Sequence, residues 1–236
     1  MSIDSATTRL MLRHVAVMGA AGGLGQSILE ICREENISFT AIVRSRPERI
    51  TNLPSGSRVA VVPSLSDSDL LTNAFVGADA VISAIGVTSS SNDNSALLSA
   101  NMKSLVSSMK TGGVDRIVLI NTILSAAPGK PSSWPMRFFS LIPGNVGKGA
   151  RELNAVVDAV GRGELSGVRW TLVRAGVNPY GKDERPVASK EFDKHLNSLS
   201  PVSYRAMGRW MLEESVSNEF VCAAPAVSRR KKAACS

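Results

Sequence analysis

The chain has 236 residues, and its hydrophobic fraction of 44% and charged fraction of 20% are ordinary for a globular domain with a full core. The formal net charge is +7, but four of these charges lie in Arg229–Lys232, and elsewhere no basic stripe is interleaved with aromatic residues, so we expect no nucleic-acid partner. The longest apolar runs have only the length of a strand, so we also expect no membrane partner.

Cysteine and histidine residues are few and lie far apart. The three cysteines, Cys32, Cys222 and Cys235, have neither a CxxC spacing nor any other metal-binding pattern. The two histidines, His14 and His195, are distant from one another, so we predict no metal site. Cysteines without a disulfide framework are typical of a reducing compartment, and no secretory leader is evident, so we expect a cytoplasmic location.

Seven apolar, β-branched runs are predicted to be strands. In chain order they are Val15–Met18, Thr40–Val43, Val59–Val62, Ala80–Ile85, Arg116–Asn121, Trp170–Arg174 and Phe220–Ala223. The runs are continuous rather than alternating, which is typical of strands that are buried on both faces of a parallel sheet.

Helical periodicity falls between these runs, at about 24–35, 67–76, 95–110, 148–161 and 204–215. Ser66 or Ser68 is predicted to cap the second helix, and Ser203 the last. Gly112 and Gly113 are predicted to end the third helix. The alternation of strand and helix predicts an α/β fold with a doubly wound parallel sheet, folded as a single domain.

We predict one domain over residues 13–227, with a flexible N-terminus at 1–12 and a basic tail at 228–236. Residues 125–147 interrupt the pattern, since they carry four prolines and three of the nine Trp and Phe residues. They follow the fifth strand, at the carboxyl edge of the sheet where open α/β proteins bind ligands. We interpret the segment as a loop that covers a substrate, or as one whose aromatic side chains only pack on the domain.

The turn after the first strand carries three glycines, Gly19, Gly22 and Gly25, and passes directly into a helix. In such a turn the first glycine permits the sharp bend, the second lets the backbone approach a phosphate, and the third lets the helix pack closely on the strand. The pattern therefore predicts that a dinucleotide diphosphate lies at the helix N-terminus. The same predicted site includes the intervening residues Ala21, Gly23 and Leu24.

The second strand ends at Arg44, where a site for NAD would present an acidic residue to the ribose 2′-hydroxyl. Arg46 and Arg49 follow close behind. A carboxylate would repel a 2′-phosphate, whereas a guanidinium can pair with it through two parallel hydrogen bonds. We therefore predict that Arg44 and Arg46 bind a 2′-phosphate and that the cofactor is NADP(H). The alternative is that these arginines only solvate a loop, which Pro47 marks as a turn.

Five motifs are spread over nearly the whole chain: the glycine turn, Val43-Arg44, Gly77–Gly86 (GADAVISAIG), Gly113–Ile120 (GVDRIVLI) and Ser166–Gly176 (SGVRWTLVRAG). Together they resemble the atypical short-chain dehydrogenases/reductases, in the branch that includes NmrA-like and biliverdin-reductase-B-like proteins. The resemblance implies a Rossmann fold that binds an NAD(P) cofactor.

The resemblance also implies which residues contact each part of the cofactor. Residues implied beside the riboses are Ala84, Ile85 and Gly86. Those implied near the nicotinamide are Asn121 and Thr122 on one side, and Ala175, Gly176 and Val177 on the other. The acidic residue that such families often carry after the third strand is missing, so adenine recognition would fall to Ser64, Leu65 and backbone groups.

The catalytic tyrosine of classical members has no clear counterpart. Those enzymes use Tyr-x-x-x-Lys, in which the phenol donates a proton and the lysine lowers its pKa. The lysine corresponds best to Lys148, but Gly144 stands where the tyrosine would be. Both Lys148 and Tyr180 have a purely structural alternative, as an exposed lysine at a helix start and a tyrosine in a turn. The proton would come from water, or from Thr122, Ser125, Lys148 or Tyr180.

These features support three functions. The leading one is an NADP(H)-dependent oxidoreductase that transfers hydride to a small apolar carbonyl or quinone-like substrate, which would need little acid catalysis. The missing tyrosine favours two alternatives. One is a non-catalytic NADP(H)-sensing regulator, NmrA-like, that acts through a protein partner. The other is a redox-neutral isomerase or cyclase that keeps the nucleotide as a scaffold, and the aromatic, proline-rich segment favours the functions that need a small-molecule pocket.

Overall fold

The structure is a computed structural model that describes residues 12–86 and 98–231. These residues form the strands β1 (His14–Met18), β2 (Ser38–Val43), β3 (Arg58–Val61), β4 (Ala80–Ser83), β5 (Arg116–Thr122), β6 (Arg169–Ala175), β7 (Val177–Asn178), β8 (Val187–Ser189), β9 (Val202–Ser203) and β10 (Ala226–Ser228). They also form the helices α1 (Gly23–Glu34), α2 (Ser68–Phe75), α3 (Met102–Thr111), α4 (Trp134–Leu141), α5 (Asn145–Gly161) and α6 (Tyr204–Ser217). Short 3₁₀ helices lie at Pro47–Arg49 and Ser99–Asn101.

One large sheet organises the domain, with strand order β3-β2-β1-β4-β5-β6-β10-β8. Its neighbouring strands are parallel except for β8, which runs antiparallel to β10. The strand order reverses at β1, which lies between β2 and β4, so a crevice opens there beyond the carboxyl ends of the strands. The strands β7 and β9 pair as a separate parallel ribbon. The predicted α/β fold with a doubly wound parallel sheet is confirmed.

Two apolar layers cover the sheet. On one face α1 and α6 pack against each other and against the strands, through side chains such as Ile28 and Met207. On the other face α2, α3 and α5 contribute side chains such as Leu71 and Val157. Because both faces of the central strands are buried, these strands are apolar along their whole length, and the continuous runs in the sequence follow from this burial.

The first six predicted strands are confirmed, each within two residues of its expected bounds. The seventh is wrong, because residues 220–222 form a turn and Ala223 makes only an isolated bridge to Thr171, while the strand itself lies later, at Ala226–Ser228. Cys222 adopts the left-handed conformation, with a φ of 54°, which interrupts an extended strand. The ring of Phe220 is buried in the core, so packing accounts for the apolar character of this run.

The five predicted helices are present, with shifts at their starts. The helix predicted at 95–110 begins at Met102 after a 3₁₀ turn, and residues 95–97 lie outside the described residues. Gly112 follows this helix and Gly113 has a φ of 78°, so the predicted glycine end is confirmed. The start predicted at residue 148 lies three residues earlier, at Asn145.

Caps at the N-termini of two helices were predicted, and one of these is confirmed. The Ser203 hydroxyl accepts a hydrogen bond from a first-turn amide of α6 at 2.9 Å. At α2, however, neither Ser66 nor Ser68 is the cap. The carboxylate of Asp67 accepts a hydrogen bond from the Leu70 amide at 3.0 Å, so the residue between the two serines caps this helix.

The segment 125–147, predicted to be a loop, contains the helix α4. Its proline at position 135 lies in the first turn, where a missing amide donor leaves no hydrogen bond unmade. The carbonyl of Leu124 accepts a hydrogen bond from the Ser133 hydroxyl, which ties the start of α4 to the end of β5. Of the four prolines that suggested a loop, three therefore flank a helix and one lies in its first turn.

The ends of the domain differ in part from the prediction. Residues 1–11 and 232–236 lie outside the described residues, while Leu12 is buried in the core. The tail boundary predicted at 228 falls inside β10, and the Lys231 amide donates to the Leu196 carbonyl at 2.9 Å. None of the helices in 12–86 and 98–231 combines the length and the apolar character needed to cross a bilayer.

Candidate functional site

A cleft of about 820 Å³ lies at the carboxyl edge of the sheet, at the crevice between β1 and β4. Its walls come from the ends of β1, β2, β4, β5 and β6 and from the starts of α1, α5 and α6. The predicted site residues that line it are Gly19, Ala21, Gly22, Gly23, Leu24, Arg44, Arg46, Leu65, Ala84, Ile85, Gly86, Asn121, Thr122, Lys148, Ala175, Gly176 and Val177. Three others, Gly25, Ser64 and Tyr180, lie outside the lining.

The turn after β1 can be built only with glycine at two positions. Gly19 has a φ of 75°, and a Cβ there would lie 3.0 Å from the carbonyl carbon of Ala84, in the backbone that follows β4. At Gly25 a Cβ would lie 2.7 Å from the Cα of Ala20. Gly25 therefore acts from outside the cleft, by letting α1 lie close against the turn.

The N-terminus of α1 opens into the cleft without a cap. Gly22 is its N-cap residue, no side chain bonds to the first-turn amides, and the first turn has no acidic residue. Such amides have no acceptor within the helix and lie at its positive end. Gly22 and Gly23 keep side chains away from this opening. The arrangement fits the diphosphate of a dinucleotide.

Three arginines line the cleft where β2 ends: Arg44, Arg46 and Arg49. Their side chains are exposed, and among the described residues none of the three guanidinium groups forms an ion pair or a hydrogen bond. Arg205, in contrast, pairs with Glu34 at 2.6 Å. The cluster therefore offers uncompensated positive charge next to the diphosphate position, as a phosphorylated ribose would require.

The wall beyond the arginines is mostly apolar, from Val62, Pro63 and Leu65. Ser64, predicted to help recognise adenine, lies outside the lining, and its hydroxyl is 2.6 Å from the hydroxyl of Ser66. An adenine placed here would be held by packing rather than by the Ser64 side chain.

At the end of β5, Asn121 is buried and its side chain is fully engaged. Its amide nitrogen donates to the Leu153 carbonyl at 3.1 Å, which fixes β5 to α5. Its amide oxygen accepts from the Thr122 amide at 2.7 Å and from the Ser125 hydroxyl at 2.8 Å. Asn121 thus shapes the wall of the cleft. Ser125 was a predicted proton donor, but its hydroxyl is buried and already donates to Asn121, so its position does not support that role. The Thr122 hydroxyl accepts from the Leu124 amide at 3.3 Å and keeps its own proton to donate.

A buried arginine supports this wall from behind. Arg174, the register partner of Asn121 on β6, donates to the Ala224 carbonyl at 2.8 Å and to the Ser125 carbonyl at 3.2 Å. Burial lowers the pKa of this guanidinium, and the carboxylate of Glu191, 3.6 Å away, opposes that shift. These bonds fix the start of the segment that leads from β5 to α4.

Lys148 lies in the first turn of α5, exposed to solvent at the cleft. Glu152, one turn further along the same helix, also lines the cleft and was not predicted. Its carboxylate accepts hydrogen bonds from the Ser99 amide at 3.0 Å and from the Ser99 hydroxyl at 2.6 Å. Polar groups of α5 therefore converge on the end of β5, where the nicotinamide was predicted to lie.

The two tyrosines of the chain lie in different surroundings, and only Tyr204 lines the cleft. Tyr180 is 93% exposed in the turn after β7, outside the cleft lining, so its predicted catalytic role has no support from its position. Tyr204 lines the cleft. Its ring packs directly against Gly23, where an added Cβ would lie 3.0 Å from the ring carbon Cδ2. Tyr204 does not fit the Tyr-x-x-x-Lys pattern, because Gly208 stands where the lysine would be, and so it was not among the predicted site residues. Its position at the start of the predicted last helix was the only available signal.

The chain matches a family model described as NAD(P)H-binding over residues 19–213. A search of curated proteins finds no match. Among solved structures it resembles a Rossmann-fold NAD(P)-binding family protein from Shigella flexneri, with 13% identity, a TM-score of 0.64, and coverage of 95% of this chain and 98% of that chain. It also resembles the oxidoreductase ylbE from Lactococcus lactis, with 16% identity, a TM-score of 0.66, and coverage of 93% and 92%.

A third similar structure is a wide-type short-chain dehydrogenase/reductase from Veillonella parvula in complex with NADP, with 16% identity, a TM-score of 0.62, and coverage of 93% and 95%. At such identities these structures show the fold alone. The family match covers most of the chain, from the first glycine of the turn to α6. The chain therefore belongs to the NAD(P)H-binding family and has a Rossmann fold.

Proposed function

We propose that the protein is an NADP(H)-dependent oxidoreductase that transfers hydride to a small apolar acceptor, a carbonyl or quinone-like compound. The observation that carries the proposal is the presence, in one cleft, of a glycine-lined helix end and three arginines, and within the described part of the chain no side chain caps the helix end or pairs with these arginines. The helix end suits the diphosphate that NAD and NADP share. The cluster of cations suits the form with a 2′-phosphate, because a site for NAD presents a carboxylate instead.

The walls of the cleft divide the work of binding. The first-turn amides of α1 would bind the diphosphate, and Arg44 with Arg46 would bind the 2′-phosphate. On the far side, Ala175 and Val177 form an apolar surface that would orient the nicotinamide ring and exclude water from it. A bound reduced nicotinamide supplies the hydride.

The polar groups at the end of β5 would serve the acceptor. The Thr122 hydroxyl can donate a hydrogen bond to the acceptor oxygen and so orient it. The Lys148 ammonium would supply the proton that this oxygen takes up after hydride transfer. An acceptor that forms a stabilised product suits this site, because the strong acid–base pair of the classical enzymes is missing from it.

One observation favours a second function, an NADP(H) sensor that acts through a protein partner. Gly144 lies one turn before Lys148, so the tyrosine of the Tyr-x-x-x-Lys pattern has no counterpart on α5. A sensor must bind the cofactor but need not turn it over. The two functions therefore require the same binding and differ in turnover.

Titration of the purified protein separates the two. We expect NADPH to quench the protein fluorescence with a lower Kd than NADH, and the absorbance of NADPH to fall when quinones, flavins or enones are added as acceptors. Tight binding of NADPH without consumption by any acceptor would favour the sensor. Equal or tighter binding of NADH would remove the role assigned to the arginine cluster.

Replacing Lys148 by glutamine should lower kcat with the best acceptor about tenfold. The loss is smaller than the hundredfold or more that is common for a general acid, because water can also protonate a stabilised product. The control is Lys103→Gln, which removes an exposed lysine of α3 outside the cleft. An unchanged kcat and an unchanged pH profile in the Lys148 variant would assign the proton to another donor.

A further inference from the structure

The helix α4 presents an apolar face to solvent. Trp134, Phe138 and Leu141 are 79%, 59% and 82% exposed. Their spacing of four and three residues places them on the same side of the helix. Met136, on the opposite side, is buried. A surface helix of a globular protein normally turns its large apolar side chains towards the core. In α4, three of them face solvent instead.

Specific hydrogen bonds hold α4 in this orientation. The Ser140 carbonyl accepts a hydrogen bond from the Arg151 guanidinium at 2.6 Å, and the Ser140 hydroxyl accepts one from the Asn154 side chain at 3.1 Å. Both partners lie on α5, against which α4 packs. These bonds fasten the side of α4 that carries Met136 and Ser140 to the domain, and they leave Trp134, Phe138 and Leu141 facing outward.

The segment that carries this face is basic. Between Asp115 and Glu152 the sequence contains no acidic residue. The basic residues in this interval, beyond Arg116 at its start, are Lys130, Arg137, Lys148 and Arg151. Arg137 lies on α4 itself, is exposed, and has no ion-pair or hydrogen-bond partner among the described residues. Lys130 pairs with Glu191 at 2.8 Å, so the positive charge of this segment comes from Arg137, Lys148 and Arg151, all of them exposed.

We propose that the α4 face, defined as Trp134, Phe138 and Leu141 with Arg137, docks on an anionic lipid bilayer surface. Aromatic and aliphatic side chains would enter the boundary between headgroups and acyl chains, and the basic residues would contact the anionic headgroups. The helix lies on the surface and does not cross it. The expectation of no membrane partner rested on the short apolar runs, which bear only on segments that span a bilayer. The sequence did not predict an exposed apolar helix face, because residues 125–147 were expected to be a loop.

The charges favour a lipid surface over a second copy of the chain. Two copies related by a two-fold axis through this face would bring the basic residues of each copy, Arg137 among them, close to those of the other, and like charges repel. A bilayer that contains acidic lipids instead supplies the opposite charge. The proposal does not depend on which cofactor the cleft holds.

The test is co-sedimentation of the full chain with vesicles of phosphatidylcholine alone, or of phosphatidylcholine with phosphatidylserine. We expect binding to the anionic vesicles that weakens as salt is raised, and little binding to the neutral ones. The variant Arg137→Gln should bind the anionic vesicles about fivefold more weakly. Replacing Trp134, Phe138 and Leu141 together by serine should abolish binding.

The matched control replaces three exposed apolar residues elsewhere, Leu53, Leu70 and Val76, by serine, and should bind as the unchanged protein does. Circular dichroism and NADPH titration of each variant check that it is folded. Three results would overturn the proposal: no binding to anionic vesicles, equal binding by the α4 triple variant, or a dimer in solution that only the α4 substitutions dissociate.

Discussion

Replacing Arg44 by aspartate should raise the Kd for NADPH about 10- to 100-fold, and should change the Kd for NADH by less than about threefold. The guanidinium of Arg44 lines the cleft and has no partner among residues 12–86 and 98–231, so it is available to pair with a 2′-phosphate through two charge-assisted hydrogen bonds. Aspartate replaces that attraction by repulsion of the phosphate. The same carboxylate can accept a hydrogen bond from the ribose 2′-hydroxyl of NADH, which is why NADH should be little affected.

The matched control is Arg185→Asp, which makes the same change in charge at an exposed arginine outside the cleft. It should leave both dissociation constants unchanged, and so separates a local contact from the effect of net charge. If the Arg44 variant kept the ratio of the two constants, the 2′-phosphate would be bound by Arg46 or Arg49 instead.

The strand pattern was predictable because a strand that is buried on both faces is apolar at consecutive positions, and such runs can be found in the sequence. Six of the seven runs became strands. The seventh failed because one residue, Cys222, adopts a left-handed conformation that no composition rule foresees. The prediction of the residue that caps α2 was wrong for a related reason. Ser66, Asp67 and Ser68 can all cap a helix, and only the backbone geometry selects Asp67.

The cofactor side of the cleft was predictable because it depends on local backbone. The glycine turn and the arginines after β2 line the cleft because they lie where the strands end, and strand ends can be predicted from sequence. The opposite wall depends on contacts between distant segments. Tyr204 meets Gly23 only because α6 packs against α1, and Ser99 meets Glu152 from another part of the chain. No spacing in the sequence encodes either contact.

Replacing Glu214 by alanine should lower the free energy of unfolding by about 3–5 kcal/mol, because it leaves a buried charge without its partner. The Arg116 guanidinium and the Glu214 carboxylate lie 2.8 Å apart, with side-chain exposures of 1% and 2%. The same carboxylate accepts hydrogen bonds from the Thr171 hydroxyl at 3.0 Å and from the Phe220 amide at 3.0 Å. Burial lowers the pKa of Arg116, and the negative charge of Glu214 opposes that shift.

The adjacent glutamate provides the control. Glu213 pairs with Arg185 at 3.3 Å, and the Arg185 side chain is 85% exposed, so Glu213→Ala should cost less than about 1 kcal/mol. Urea unfolding of both variants, followed by circular dichroism, gives the two free energies at equal m-values. Because β5, β6 and α6 meet at this pair, its loss should weaken the packing of α6 on these two strands, at the end of β5 that lies away from the cleft. Replacing Arg116 and Glu214 together by methionine and leucine should recover much of the stability, since no unpaired charge is then buried. Equal losses for the Glu213 and Glu214 variants would show instead that the buried pair adds nothing beyond a surface ion pair.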